Sequence, residues 1–438
     1  MSLHSGFTPK MRPVSPRRSA IVAALDIGTS KIVCLIARLK PQGPQDVLRR
    51  RSHGIEILGI GHTEARGMKA GAVINLAEAE QAVRHAVDLA ERDASVQLES
   101  VVLSLSSGRP DSELFAVNVN VAGSSVSEDD IARALSAGCN HSVRQGRILM
   151  HSLPVGYALD GVRGVGEPRG MLASEFGVDM HMVTADAAVA RNLMLVVERC
   201  HLEVEAMVAS PYVAGLSAIA DEEADIGAAL IDMGAGTTTL SVFSSGHFTY
   251  TDGFALGGNH VTMDLARGLN ARISDAERIK TFYGSVLAGG SDERDMIAVP
   301  AVTDDDREPP QFVSRASLVR IIKPRVEEIL EMVRDRLAAS PFASEPRARV
   351  IFTGGASQLT GLPELAARVL NRPVRIGRPL GISGLPEAAK GPAFAVAAGL
   401  LVYPQAAHLE HFEPRRTRHL MTGTGYIARV GRWLRESF

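Results

Sequence analysis

The chain reads Leu25-Asp26-Ile27-Gly28-Thr29-Ser30-Lys31 near its start and Ile231-Asp232-Met233-Gly234-Ala235-Gly236-Thr237-Thr238 past its middle. Each stretch opens on an apolar run and continues into another, and the two aspartates stand 206 positions apart. One copy in each half predicts two lobes that face each other across a cleft, with a nucleotide between them. The residue types fit that chemistry. An Asp at the end of a buried strand can hold a hydrated divalent cation, because a hard ion such as Mg²⁺ takes oxygen ligands and keeps several waters. Gly28, Gly234 and Gly236 let the backbone turn with φ > 0 and approach a ligand closely. The N–H groups of such turns, with the hydroxyls of Thr29, Ser30, Thr237 and Thr238 and the ammonium of Lys31, form a concave anion site.

The segment after each turn narrows the choice. Ile32-Val33-Cys34-Leu35-Ile36 and Leu240-Ser241-Val242-Phe243 are β-rich, whereas the Walker A loop and the dinucleotide fingerprint both place a helix after their glycines. A single such stretch reads equally as a hairpin whose Asp and Gly serve only the turn. Two copies in matching apolar context favour the phosphate clamp, with Asp26 and Asp232 as the Mg²⁺ side, reached through water.

Two further glycine pairs belong to the same cleft. Val350-Ile351-Phe352-Thr353-Gly354-Gly355 is a short apolar strand ending in Gly354 and Gly355, and helical spacing runs from Leu362 to Leu370. The pair leaves room for a ribose or a flat base, or breaks a strand-to-helix turn. Gly257 and Gly258 precede Asn259, and Ser274-Asp275-Ala276-Glu277-Arg278-Ile279-Lys280 comes soon after. Ser274 and Glu277 have the spacing of a capping box, so Glu277 fits a helix cap as well as a nucleotide contact, with Lys280 one turn further on.

With 438 residues, 45% of them hydrophobic and 22% charged, the chain has material for two to four domains. A net charge of −2 gives no overall drive toward nucleic acid. The three cysteines, Cys34, Cys139 and Cys200, are far apart, form no CxxC and read as reduced thiols. The thirteen histidines show no ligand spacing with them. The apolar run at residues 393–403 is shorter than the ~20 residues that span a bilayer and reads as a buried small-residue helix.

Composition and periodicity divide the chain further. Residues 1–18, basic and Pro/Ser-containing, form a disordered arm, and 19–99 open the first lobe with strands and a helix carrying Leu76, Ala79, Val83, Val87 and Ala90 on one face. Residues 100–180, alternating strand and helix patterns, make an inserted α+β subdomain. Residues 181–226 return to the first lobe with a helix from His181, and 227–404 form the second lobe. Within it, residues 291–310 read as a solvated loop, and a long helix with Leu318, Ile322, Val326, Ile329, Val333 and Leu337 is bent or begun at Pro324. Residues 405–424 read as a flexible linker.

The last fourteen residues, 425–438, are the second informative stretch. On a helix, Tyr426, Ile427, Val430, Trp433, Leu434 and Phe438 fall on one face, and Arg429, Arg432 and Arg435 lie opposite with Glu436. This is the pattern of a helix lying in an anionic membrane interface. Docking in a groove of the same chain or of a partner is the other use of such a face. Anchoring of this kind is reversible and strengthened by self-association, because several weak anchors act together.

The two clamps, Gly257-Gly258-Asn259 through Asp264, the segment from Ser274 to Lys280, Thr353-Gly354-Gly355-Ala356 and the Trp433 tail, in this order, resemble the FtsA family of bacterial actin-like cell-division proteins, nearly over the full chain from Ala24. The resemblance implies an α/β, two-lobed actin-like ATPase fold of duplicated ribonuclease-H-like cores, with ATP and Mg²⁺ in the cleft. It implies that the insertion serves self-association and contact with later division proteins. It further implies that the second lobe receives the C-terminal peptide of the tubulin-like FtsZ, and that the tail tethers FtsZ filaments to the cytoplasmic membrane at the septum. Two departures stand in the second clamp: Ala235 where many relatives have Gly, and Thr239 where an Asp often stands. Ser210-Pro211-Tyr212 in the connecting segment offers no base to position water, so ATP binding is better supported than turnover. Competing readings are a soluble kinase of the same superfold, which needs a catalytic Asp beside a substrate pocket, and an actin-like pilus-assembly adaptor.

Overall fold

A computed structural model describes residues 7–43, 48, 50–300, 309–345 and 348–411. Two sheets are built on one plan. In the first, the strand Ala20–Ile27 pairs antiparallel with Lys31–Pro41, which pairs antiparallel with His53–Glu64. On its other side Ala20–Ile27 pairs parallel with Ser100–Leu105, and that strand pairs parallel with Glu203–Ala209. In the second, Ala228–Met233, Thr238–Ser244 and His247–Phe254 repeat the antiparallel meander. Arg349–Thr353 and Val374–Ile376 repeat the parallel pair. This duplication is the two-lobed actin-like architecture. Central strands are buried throughout, as in Ile32 to Ala37 and Ala228 to Met233, which fits sheets covered on both faces.

Three hydrophobic clusters correspond to three folding units. The first lobe packs Ala79, Ala82, Val83, Ala86, Val87 and Ala90 of helix Leu76–Ala94 against its sheet. Gly59 and Gly61 allow the close approach: a Cβ at Gly61 would lie 1.8 Å from the Ala86 carbonyl. The second lobe is centred on helix Arg315–Ala338, whose Leu318, Ile322, Val326, Ile329, Leu330, Val333 and Leu337 are buried. Pro324 lies inside this helix and does not start it. The third cluster belongs to the insertion, where helix Glu128–Cys139 covers a sheet in the order Asp111–Asn120, Glu175–Asp186, Arg147–Leu159, Val162–Val165. Helix Ala395–Ala406, buried along its whole length, packs against helix Ser210–Ala218 and the first sheet. The segment around it is apolar enough to span a membrane by composition, but here it is core.

Several expectations are corrected. Ser100–Leu105 belongs to the first lobe's sheet and not to the insertion, because its partners are Ala20–Ile27 and Glu203–Ala209. The described part of the arm, from Phe7, is packed: Phe7 bridges to Leu149, and Thr8 and Met11 are buried; residues 1–6 lie outside the described residues. His181 lies in a strand that runs to Asp186, with the helix spanning Ala187–Arg199. The segment expected as a loop at 291–310 contains strand Met296–Val299, paired with Gln311–Ser314. Residues 405–411 are packed and not linker, with Glu410 almost wholly buried. The rest of the expected linker and the amphipathic tail, 412–438, lie outside the described residues.

Candidate functional site

The two clamps close in the same way. Gly28 N–H donates to the Lys31 carbonyl and Gly234 N–H to the Thr237 carbonyl, each at 2.9 Å. These bonds tie off the turns between antiparallel strands whose last pairs are Ile27 with Ile32 and Met233 with Thr238. Glycine is required here by proximity and not by a positive φ. A Cβ on Gly28 would meet the Lys31 oxygen at 2.9 Å, and one on Gly234 the Thr237 oxygen at 3.1 Å. Gly354 is the glycine with left-handed backbone (φ 86°), and a Cβ there would strike the Asp232 Oδ1 at 2.4 Å. The third glycine site therefore seats itself on the carboxylate of the second clamp.

Between the lobes lies a cleft of about 500 Å³, within the range of small-molecule sites. Its walls include Asp26, Gly28, Thr29, Ser30 and Lys31 from the first clamp and Asp232, Gly234, Ala235 and Thr237 from the second. Gly258, Glu277, Lys280, Gly354 and Gly355 complete the set of expected residues that it brings together. Three expected residues stand behind the wall. Gly236 packs across the lobes, where a Cβ would lie 2.5 Å from Thr29 Oγ1 and 3.0 Å from Ala70 Cα. Thr238 donates its hydroxyl to the Leu256 carbonyl. Gly257 presses on the second clamp, with a Cβ 2.5 Å from the Gly234 oxygen. The Thr239 hydroxyl is buried without a hydrogen-bond partner among the described residues.

Asp26 and Asp232 are buried, each with 9% of its surface exposed. Burial pushes the Asp26 carboxyl up, against the Ser104 hydroxyl that donates to it at 2.7 Å and the Lys31 charge. Burial and the Asp26 charge push Asp232 up to about 7. Lys31 is pulled down by burial against the attraction of both aspartates. Its ammonium donates to the Ala393 carbonyl and lies 4.0 Å from the centre of the Phe394 ring. Two carboxylates that resist ionisation because they are buried and face each other form a site in which a cation is stabilising. Among the described residues there is no cluster of three or more His, Cys, Asp or Glu that could hold a metal by itself. A pair of carboxylates with room for water and phosphate suits Mg²⁺ rather than an ion that needs a full protein cage.

The capping box expected at Ser274 is absent, because the helix Ile273–Tyr283 begins two residues earlier than such a cap requires and Arg272 is its cap residue. Glu277 instead accepts from Thr262 Oγ1, and Lys280 Nζ donates to Glu277 at 2.6 Å, to Thr262 at 2.8 Å and to the Gly258 carbonyl at 3.2 Å. This network fixes the start of helix Gly258–Leu269. Its first N–H groups bind the second clamp: Gly258 donates to the Gly234 carbonyl at 2.9 Å and Asn259 to the Ala235 carbonyl at 2.8 Å. Ser106, Ser210, Asn259, Thr281, Gln358, Thr360 and Ala393 also line the cleft. These come from separate helices and loops; Ser210 and Asn259 stand within segments singled out in the sequence, and Ser106, Thr281, Gln358 and Thr360 carry no local motif.

Residues 229–399 match the family described as Cell division protein FtsA, and 108–184 match the SHS2 domain inserted in FTSA. The chain is 49% identical over 444 aligned positions to the Cell division protein FtsA of Agrobacterium fabrum, covering 100% of this chain and 99% of that one. It is 30% identical over 425 positions to the Escherichia coli K12 protein of the same name, covering 95% and 98%. Among solved structures, the PilM-PilN type IV pilus biogenesis complex superposes with a TM-score of 0.59 at 17% identity, covering 88% of this chain and 98% of that one. MreB5 of Spiroplasma citri bound to ADP gives 0.53 at 15%, covering 90% and 98%. Those two likenesses concern the actin-like fold alone. The end-to-end identity to curated relatives, with the inserted domain falling where the third core lies, makes the chain a member of the FtsA family of cell division proteins.

Proposed function

We propose that the chain is an ATP-binding, self-associating adaptor that tethers FtsZ filaments to the cytoplasmic face of the bacterial inner membrane at the division septum and helps recruit later division proteins. The observation that carries the nucleotide part is the pair Asp26 and Asp232, buried and facing across a cleft whose two turns are closed by the same hydrogen bond. The turns around Gly28 and Gly234, with Thr29, Ser30, Thr237 and Lys31, would hold the phosphates, and Gly354 and Gly355 leave room beside them for the ribose. Asp26 and Asp232 would hold Mg²⁺ through water; when bound, the ion offsets phosphate charge. Because the clamps come from different lobes, a nucleotide touching both favours the closed arrangement.

Binding is favoured over turnover. The acidic side chains lining the cleft are Asp26, Asp232 and Glu277, and Glu277 is engaged by Lys280 and Thr262. Among the described residues no further carboxylate stands at the wall to orient a water, so any ATPase activity is slow. The membrane part rests on the sequence of the tail, with Trp433 on the apolar face and Arg429, Arg432 and Arg435 opposite. The partners are the FtsZ C-terminal peptide at the second lobe, further copies of the chain, later division proteins and an anionic membrane surface; nucleic acid is not among them. Family membership supports this set.

Co-sedimentation of the full chain, and of a version ending at residue 424, with anionic vesicles, Mg-ATP and FtsZ tests the proposal. Full chain that pellets with vesicles and carries FtsZ, and truncated chain that remains in the supernatant, are expected. Equal pelleting of both versions would overturn the tail's role. Vesicle indifference of both would favour a soluble actin-fold kinase.

A further inference from the structure

A buried polar cluster joins four separate parts of the chain. Glu410 lies at the end of the described C-terminal segment, with its side chain 2% exposed. Its Oε2 is 3.3 Å from Lys10 Nζ of the arm, and its Oε1 is 2.9 Å from His151 Nδ1, in the strand Arg147–Leu159 of the inserted sheet. The Tyr403 hydroxyl is hydrogen-bonded to the same carboxylate. The other ring nitrogen, His151 Nε2, accepts the backbone N–H of Ala209 at 3.0 Å. A backbone N–H can only donate, so Nε2 carries no proton and the ring proton sits on Nδ1, facing Glu410. The cluster thus runs in one direction, from the Ala209 N–H through the His151 ring to the Glu410 carboxylate, with Lys10 balancing the charge.

Ala209 is the cap residue of helix Ser210–Ala218. Ser210, the first residue of that helix, lines the cleft, and its buried hydroxyl has no hydrogen-bond partner among the described residues. Tyr212, two residues further on, packs edge-on against the His151 ring with centroids 5.1 Å apart. At the other end, His411 N–H donates to the Ser152 carbonyl at 2.9 Å, and Cys139 Sγ of the insertion's helix donates to the His411 carbonyl at 3.0 Å. A buried ion cluster tolerates loss of one partner poorly, because the remaining charge is stranded. Its bonds are therefore expected to form and break together rather than one at a time.

We infer that the Glu410–His151 pair couples occupancy of the cleft at Ser210 to the docking of the segment that leads into the C-terminal tail. This rests on the nucleotide reading above. A ligand that shifts the first turn of helix Ser210–Ala218 changes the N–H that His151 accepts, and the effect reaches Glu410, Lys10 and the insertion's strand. Linkage requires the reverse effect too: freeing Glu410 alters affinity in the cleft by the same factor.

Hydrogen–deuterium exchange on the full chain, with and without Mg-ATP, tests this. Mg-ATP is expected to slow exchange at residues 26–31 and 232–237, and to change exchange by about fivefold or more at 207–212 and 404–411, the lower end of ordinary coupling energies. In E410Q, the cleft response persists, the response at 404–411 disappears, and the Mg-ATP affinity changes by the factor lost. K10M, which leaves the His151 bond in place, is expected to weaken the coupling without abolishing it, and it serves if E410Q does not fold. A cleft response with none at 404–411 in the unmodified chain overturns the coupling and leaves nucleotide binding intact. No response at the cleft overturns both.

Discussion

Replacing Asp232 with Asn should make the ligand-free protein more stable while removing one of the two carboxylates proposed to hold Mg²⁺. The carboxyl is raised from 3.8 to about 7 by burial and by facing Asp26. A carboxyl raised in this way binds its proton more tightly in the folded than in the unfolded chain. Stability therefore falls as pH rises from about 4 to about 7 and is level above that. At about 1.4 kcal/mol per pH unit, the ionised group costs on the order of 4 kcal/mol at pH 8 and about half of that at pH 5.5. Asn keeps the shape and carries no charge, so D232N recovers this cost. With an unfolding entropy of ~2.1 cal/mol/K per residue, 4 kcal/mol corresponds to a rise of roughly 4 °C at pH 8. Differential scanning fluorimetry at pH 5.5 and pH 8, with and without Mg-ATP, reads both effects. D232N should melt higher than the parent without ligand, by a margin that grows with pH, and should gain little from Mg-ATP. A variant that melts lower at pH 8, or that gains as much as the parent from Mg-ATP, would refute the assignment of Asp232 as a carboxylate held for a cation.

The same geometry gives three further outcomes. G236V places a branched side chain against Thr29 and Ala70 across the lobes; Mg-ATP affinity measured by titration should fall at least tenfold while far-UV circular dichroism is unchanged. K31M removes the ammonium that both aspartates attract and should also weaken ATP by about tenfold or more, since charge-assisted phosphate contacts contribute ~1.5–3 kcal/mol. His181 is wholly buried between the insertion and the second lobe, with ring nitrogens 2.6 Å from Ser112 Oγ and 2.7 Å from the Phe248 carbonyl, and burial holds its pKa at about 3. Because the folded pKa lies below the unfolded value of about 6.5, stability should be lost as pH falls from 6.5 toward 3. H181Q should flatten that slope in urea unfolding at pH 4.5 and pH 7, and lose ~1–3 kcal/mol at pH 7 from the imperfectly replaced bonds.

The strand-turn-strand geometry of the two stretches was legible because each is a local device: a buried strand, an acidic residue, a close-approach glycine and a second strand, contained within one short stretch and present twice. The same holds for Gly354 and Gly355 and for the apolar stripe from Leu318 to Leu337. What the sequence hid was non-local. Ser100–Leu105 is apolar like the insertion's strands, and only its parallel pairing with Ala20–Ile27 assigns it to the first lobe. Lys10 and Arg12 made the arm read as solvated, yet a partner 400 positions away buries Lys10. Glu277 had the spacing of a cap, but the helix starts at Ile273 and its carboxylate serves Lys280 and Thr262. Ser106, Thr281, Gln358 and Thr360 reach the cleft from segments of ordinary composition, so nothing local marked them.

Equilibrium titration of nucleotide into the full chain, with and without Mg²⁺, tests the central claim most directly. Saturable binding of one ATP per chain, strengthened by Mg²⁺ and weakened by both K31M and D232N, is the predicted result. Absence of saturable binding at millimolar Mg-ATP, or binding unaffected by either substitution, would contradict the assignment of the cleft as a nucleotide site.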